Sequence, residues 1–330
     1  MLSLRDAVYA IQSSGKPWSA RESFNLGFWP SLSNPGQAVS LLAFVARYSA
    51  AGANLRTLAA GGGDLWYHIS RSQIIPQLRH RLRDPGIIQQ NPTGLCGPLA
   101  IVVELARRRP AEYVRAVTEL LDKGTFTTSG GRIVNAEQEL RAEPIVEGPI
   151  DEADWILAAT MRDDFNVGED VDDDAYGIES ITLWREMAAW TEHILRLGYH
   201  FQTCLISGEL DAIRKAQAAV NAGGVAFLLI DGFLIKDGGQ GGKDNEEDMW
   251  WRRARHETGK GGGGFWGPWT HAKDDRIPGD HWAVFLGELE LNEEKDHISF
   301  YVWSWGYEYS VVGSAEDFKE YLYAVVTGWP

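Results

Sequence analysis

Two residues able to do covalent chemistry stand out by their placement, Cys96 and His281. Cys96 lies in Gln89-Gln90-Asn91-Pro92-Thr93-Gly94-Leu95-Cys96-Gly97-Pro98-Leu99, where a turn-rich stretch gives way to an apolar, helix-like one. At a helix start the unpaired backbone N–H groups and the helix dipole stabilise a thiolate. The thiolate is the nucleophilic form of cysteine. Gly94 and Gly97 remove side-chain bulk on both sides, so a substrate carbonyl can approach closely and Gly94 is expected to line the substrate site. Gln90 stands six residues before the cysteine, and its side-chain amide can join a backbone N–H in an oxyanion hole. His281 opens the apolar run Trp282-Ala283-Val284-Phe285, 185 residues after Cys96. An imidazole there could take the thiol proton and later return it to a leaving amine.

The glutamine, six residues, then Cys-Gly, a helix, a distant strand-opening histidine and a following strand ending in Trp303-Ser304-Trp305-Gly306 together resemble the papain-like cysteine peptidase superfamily. The resemblance covers residues 89–330 in order of parts and about twenty residues in motif. It implies Gln90 as oxyanion donor, Cys96 as nucleophile and His281 as general base and acid, with no cofactor and no metal. It also implies a cysteine that opens a central helix packed on an antiparallel sheet. The lack of a recognisable leader, an unassigned N-terminal region and a single such domain resemble bacterial effector and toxin peptidases. For such a protein an immunity or inhibitor protein would be a partner beside the protein or peptide substrate.

The chain departs from the family pattern in places. Gly97 is followed by Pro98-Leu99, with no Cys-Trp pair. The asparagine that orients the histidine in that family is replaced by Trp303. If the hairpin turns between Asn292 and Glu293, Ser304 faces His281 and can accept its ring N–H. The alternatives are a Cys–His dyad or a third group from elsewhere, with Asp280 and Glu308 the weaker choices. Trp282, Trp303 and Trp305 are expected to wall the substrate site. His200 and Cys204 are four apart, and a strand over 199–206 would put both on one face; without a second ligand pair a metal site is not expected.

These groups need a scaffold. Helical periodicity dominates to about residue 222, with helices over 37–50, 70–82 (interrupted at Pro76) and 209–221. Val225 to Ile230 is a continuous apolar run that predicts a buried strand. Asp280 to Leu291 and His297 to Gly306 predict two strands around the polar turn 292–296, Tyr307 to Val312 a further strand, and 314–326 a final helix. Helices first and antiparallel strands second predict an α+β fold. The expected organisation is a helical N-terminal region, 1–88, and a papain-like catalytic domain, 89–330. A Gly- and Trp-rich insertion over 236–279 interrupts that domain, and its Trp266 and Trp269 are expected to contact substrate as part of a lid.

Composition narrows the function. The net charge of −15 opposes binding to phosphate backbones, so nucleic acid is not expected as a partner. The acidic run Asp163, Asp164, Glu169, Asp170 and Asp172 to Asp174 fails the EF-hand pattern, because the glycine is misplaced and Ala175 occupies the last ligand position. Two cysteines do not make a disulfide scaffold. No run of about 18 apolar residues predicts a membrane span, and no signal peptide is visible. Synthesis in the cytoplasm is expected, with export by a signal-peptide-independent system compatible with the sequence. The functions weighed are a thiol protease, a glutamine deamidase, amidase or acyltransferase with the same machinery, and a catalytically inactive binding module.

Overall fold

The computed structural model describes residues 37–62, 65–89, 94–142, 144–145, 150–165, 182–235 and 281–330. Gln90, the acidic stretch Glu169 to Asp174, the insertion 236–279 with Trp266 and Trp269, and Asp280 lie outside the described residues.

Chain contacts divide the protein into two units, residues 1–88 with 101–174 and residues 89–100 with 175–330. The first is helical. It holds α1 (Gln37–Ala60), α2 (Arg71–Arg83), most of α3 (Cys96–Arg108), α4 (Pro110–Lys123), the small hairpin β1 (Thr125–Thr127) and β2 (Ile133–Asn135), α5 (Gln138–Ala142) and α6 (Glu152–Phe165). Helix α2 continues through Pro76. A proline inside a helix costs roughly 3 kcal/mol, and here it is offset by the burial of Ile74, Leu78 and Leu82 on one face.

The expected boundary at residue 88 falls differently because the early segment is tied to α4 and α6, both later in the chain than α3. Asn54 Nδ2 donates to the Ala111 carbonyl at 2.7 Å and Trp66 Nε1 to the Leu120 carbonyl at 3.1 Å. Arg81 Nη2 meets Asp154 Oδ2 at 2.6 Å, and the Tyr113 hydroxyl donates to Asp154 Oδ1 at 3.2 Å. All three side chains are buried, and desolvation is the main influence raising the Asp154 carboxyl. A buried charge of this kind is tolerated only with such partners.

The second unit carries the sheet. It holds the first residues of α3, then α7 (Trp184–His193), β3 (Gly198–Thr203), α8 (Glu209–Asn221), β4 (Val225–Ile230), β5 (His281–Asn292), β6 (His297–Ser304), β7 (Tyr307–Gly313), α9 (Ala315–Tyr321) and β8 (Leu322–Trp329). The six strands run β3-β8-β4-β5-β6-β7, every neighbouring pair antiparallel. The fold is therefore mixed helix and sheet with an antiparallel sheet in the C-terminal half, an α+β arrangement. Every residue of β4 is buried, as its unbroken apolar run predicts. Helix α8 lies against β4, β5 and β8, and α7 against β3 and β8.

Two expectations change here. The final helix stops at Tyr321, and Leu322–Trp329 forms a strand paired on both edges, with β3 and with β4. Its run of branched and aromatic side chains is buried almost throughout, and that central position outweighs a helical reading. Strand β3 ends at Thr203, so His200 is exposed while Cys204 is buried, and the two do not share a face.

Among the described residues no helix is long and apolar enough to cross a membrane.

Candidate active site

Leu99 N–H donates to the Leu95 carbonyl at 2.9 Å, which makes Cys96 the first residue of α3. Gly94 turns the chain into that helix in a left-handed conformation, φ +64°, which a residue with a Cβ adopts only at a cost. Gly97 serves a different contact from the one expected. A Cβ there would lie 2.5 to 2.6 Å from the Thr182 side chain, so the space expected to admit substrate is filled by Thr182.

His281 is the first residue of β5 and is buried, with Nε2 2.5 Å from the Ser304 hydroxyl oxygen. The register explains how Ser304 gets there. At the turn end of the hairpin Asn292 pairs with His297, and that register carried through would set Ser304 opposite Phe285. Irregularities between Phe285 and Glu290, where Gly287 and Glu288 both have positive φ, shift the pairing so that Val284 faces Trp303. One step on, Ser304 stands opposite Ala283. It has moved two residues along β5, about 7 Å, into diagonal reach of His281.

The turn after Ser304 completes the setting. Ser304 pairs with Tyr307, leaving Trp305 and Gly306 as a two-residue loop with φ +46° and +79°. Positive φ at both positions is the turn that suits a twisted hairpin. Glycine takes the second position freely, but an aromatic residue at the first is strained by about 1–2 kcal/mol. In this conformation the Trp305 ring stacks on His281, centroids 4.3 Å apart and planes at 24°, a contact that helps sustain the strain. Trp282 and Trp303 are both fully interior, and alternation along the strands puts them on the other face of the sheet from His281 and Ser304, so of the three tryptophans expected to wall the site only Trp305 stands against the ring.

Burial fixes the protonation state. Only 3% of His281 is exposed and its partner Ser304 carries no charge, so desolvation pushes the imidazole down to about 3. At neutral pH the ring is uncharged.

That state has a measurable consequence for stability. The unfolded chain binds a proton at His281 near the ordinary value of 6.5, whereas the folded chain binds it only near 3. Stability is therefore unaffected by this group above pH 7 and falls as the pH drops from about 6.5 toward 3. Between pH 7 and pH 5 the loss is about 2 kcal/mol, at 1.36 kcal/mol per unit. Urea unfolding at the two pH values should show that loss in the native protein and not in His281→Gln. An equal loss in both would rule out a neutral buried imidazole.

A second set of contacts connects the cysteine end to the histidine end. Thr182 fills the place beside Gly97, and its carbonyl accepts the Trp282 indole N–H at 2.8 Å. Trp282 is the neighbour of His281 in β5. The expected residues Gly94, Cys96, His281, Trp282, Trp303, Ser304 and Trp305 thus belong to one unit. Thr182 is not legible in the sequence, because a lone threonine beside an acidic loop carries no pattern.

Comparison with protein-family models, with curated proteins and with solved structures finds no match.

Proposed function

We propose that the chain is a cysteine-nucleophile hydrolase of the papain-like type that cuts peptide bonds through a thioester on Cys96. The observation that carries this reading is the buried, uncharged His281 ring, fixed by Ser304 and Trp305 in the same unit as a cysteine that opens a helix.

Ser304 takes the Nε2 side of the ring. With the proton on Nε2 donated to the Ser304 oxygen, Nδ1 keeps the lone pair needed to accept the thiol proton. The Cys96 sulfur attacks the substrate carbonyl carbon as its proton passes to Nδ1. The resulting oxyanion is stabilised by backbone N–H groups at the start of α3, with Gln90 as the proposed side-chain donor. Collapse breaks the C–N bond, and the imidazolium gives its proton to the departing amine. Water then attacks the thioester, losing a proton to Nδ1, and the acid product leaves with the thiol restored. A neutral resting pair suits this cycle. The charges appear only as the carbonyl is attacked, when the oxyanion hole is there to receive them.

A cell lysate treated with the protein and read by mass spectrometry tests the reading. New peptide termini, absent with Cys96→Ala, are expected. A gain of about one mass unit at glutamine without chain cleavage would instead indicate deamidation by the same groups. No Cys96-dependent change would favour a binding module.

A further inference from the structure

The geometry points to Thr182 as a positioning residue that sets the separation between the Cys96 thiol and the His281 imidazole, an inference that rests on the hydrolase reading above. Three elements converge on it. Its side chain occupies the position that a Cβ on Gly97 would need, with three of its atoms within 2.6 Å of that point. Gly97 is the residue after the nucleophile. The Thr182 carbonyl accepts the Trp282 N–H at 2.8 Å, and Trp282 is the residue after the base. The Thr182 backbone leads directly into α7. There the Glu186 carboxylate accepts the Leu183 N–H at 2.6 Å, and the Leu183 carbonyl accepts from Glu186 and Met187. Helix α7 in turn buries Met187, Ala188 and Trp190 and lies against β3 and β8.

Thr182 therefore ties the start of α3 to the start of β5 through a helix that is itself fixed on the sheet. No exposed surface of the residue remains, and the atoms facing Gly97 include its Cβ, which cannot rotate away. A branched side chain is rigid at this torsion, so it acts as a spacer. Moving a nucleophile by about 1 Å relative to its base can cost a hundredfold in rate, and one added methyl group at Gly97 would require a shift of that order.

The test needs no known substrate. Alkylation of Cys96 by iodoacetamide is followed from pH 5 to pH 9 in the full chain, with folding checked by circular dichroism. A thiol whose proton is taken by the neutral His281 ring as the C–S bond forms reacts at a rate that changes little between pH 5 and pH 8, because neither group changes protonation state there, whereas an unassisted thiol rises about tenfold per unit below its own pKa. Gly97→Ala should slow the reaction at pH 6 by about tenfold or more and restore the steep profile. The double variant Gly97→Ala/Thr182→Gly, which removes the obstructing atoms, should return the rate to within about threefold of the native protein. Trp282→Phe removes the N–H donor and should slow the reaction in the same direction. An unchanged profile in both Gly97→Ala and Trp282→Phe would overturn the inference, and so would a defect in Gly97→Ala that Thr182→Gly does not relieve. If the native protein itself gives the steep profile, the hydrolase reading fails first.

Discussion

Replacing Cys96 with alanine should lower turnover by roughly 10⁴-fold or more while leaving the protein folded. In the proposed cycle the sulfur forms the thioester, so no neighbouring group can substitute for it. The structural cost is small: Cys96 is 4% exposed at a helix start, and alanine is an excellent helix former. Cys204→Ala is the matched control. Cys204 is buried among Ala212, Ile213, Ala226 and Phe318 in the core of the sheet unit, so its loss affects packing and leaves the rate intact. Product formation by each purified variant, with thermal unfolding measured in parallel, separates the two. A dead Cys204→Ala beside an active Cys96→Ala would transfer the chemistry elsewhere.

His281→Ala should lower turnover by roughly 10² to 10⁴-fold, the range general acid–base catalysis supplies. Helix placement alone cannot compensate, because a dipole contribution of roughly 0.3–1 kcal/mol moves a thiol pKa by less than one unit. The pH dependence carries a second signature. An imidazole at its ordinary value would give activity an acid limb near pH 6.5, but one pushed down to about 3 stays unprotonated, though more weakly basic, far into the acid range. The acid limb of kcat/KM in the native protein should therefore lie below pH 5, limited by unfolding. A limb near pH 6.5 would mean that the ring is solvated in the working enzyme.

Much of this arrangement is legible because it rests on short-range pattern. The short apolar run Val225 to Ile230 reads best as an interior strand and is one, and Glu209 to Asn221 forms a helix with the bounds its periodicity gives. Cys96 sits first in α3 because the left-handed Gly94 admits the chain to a helix there. Ser304 is legible as the partner of His281, but the route is not. A strict register at the turn would leave it beside Phe285, and only the Gly287–Glu288 irregularity moves it within reach. Strand β8 reads locally as helix because its neighbours β3 and β4 are about a hundred or more residues away in sequence. Local propensity does not encode such pairing. Thr182 is invisible for the same reason, since its significance lies in Gly97 and Trp282, 85 and 100 residues distant.

Activation of Cys96 by His281 is measured most directly as the rate of Cys96 alkylation by iodoacetamide in the native protein and in His281→Ala, compared across pH. At pH 6 the native thiol should react at least about tenfold faster than the variant's. The native rate should be nearly level from pH 5 to pH 8, and the variant's should climb steeply toward an ordinary thiol pKa of about 8.5. Superimposable profiles in the two proteins would contradict it, because they would mean that the imidazole has no part in taking the proton from the sulfur.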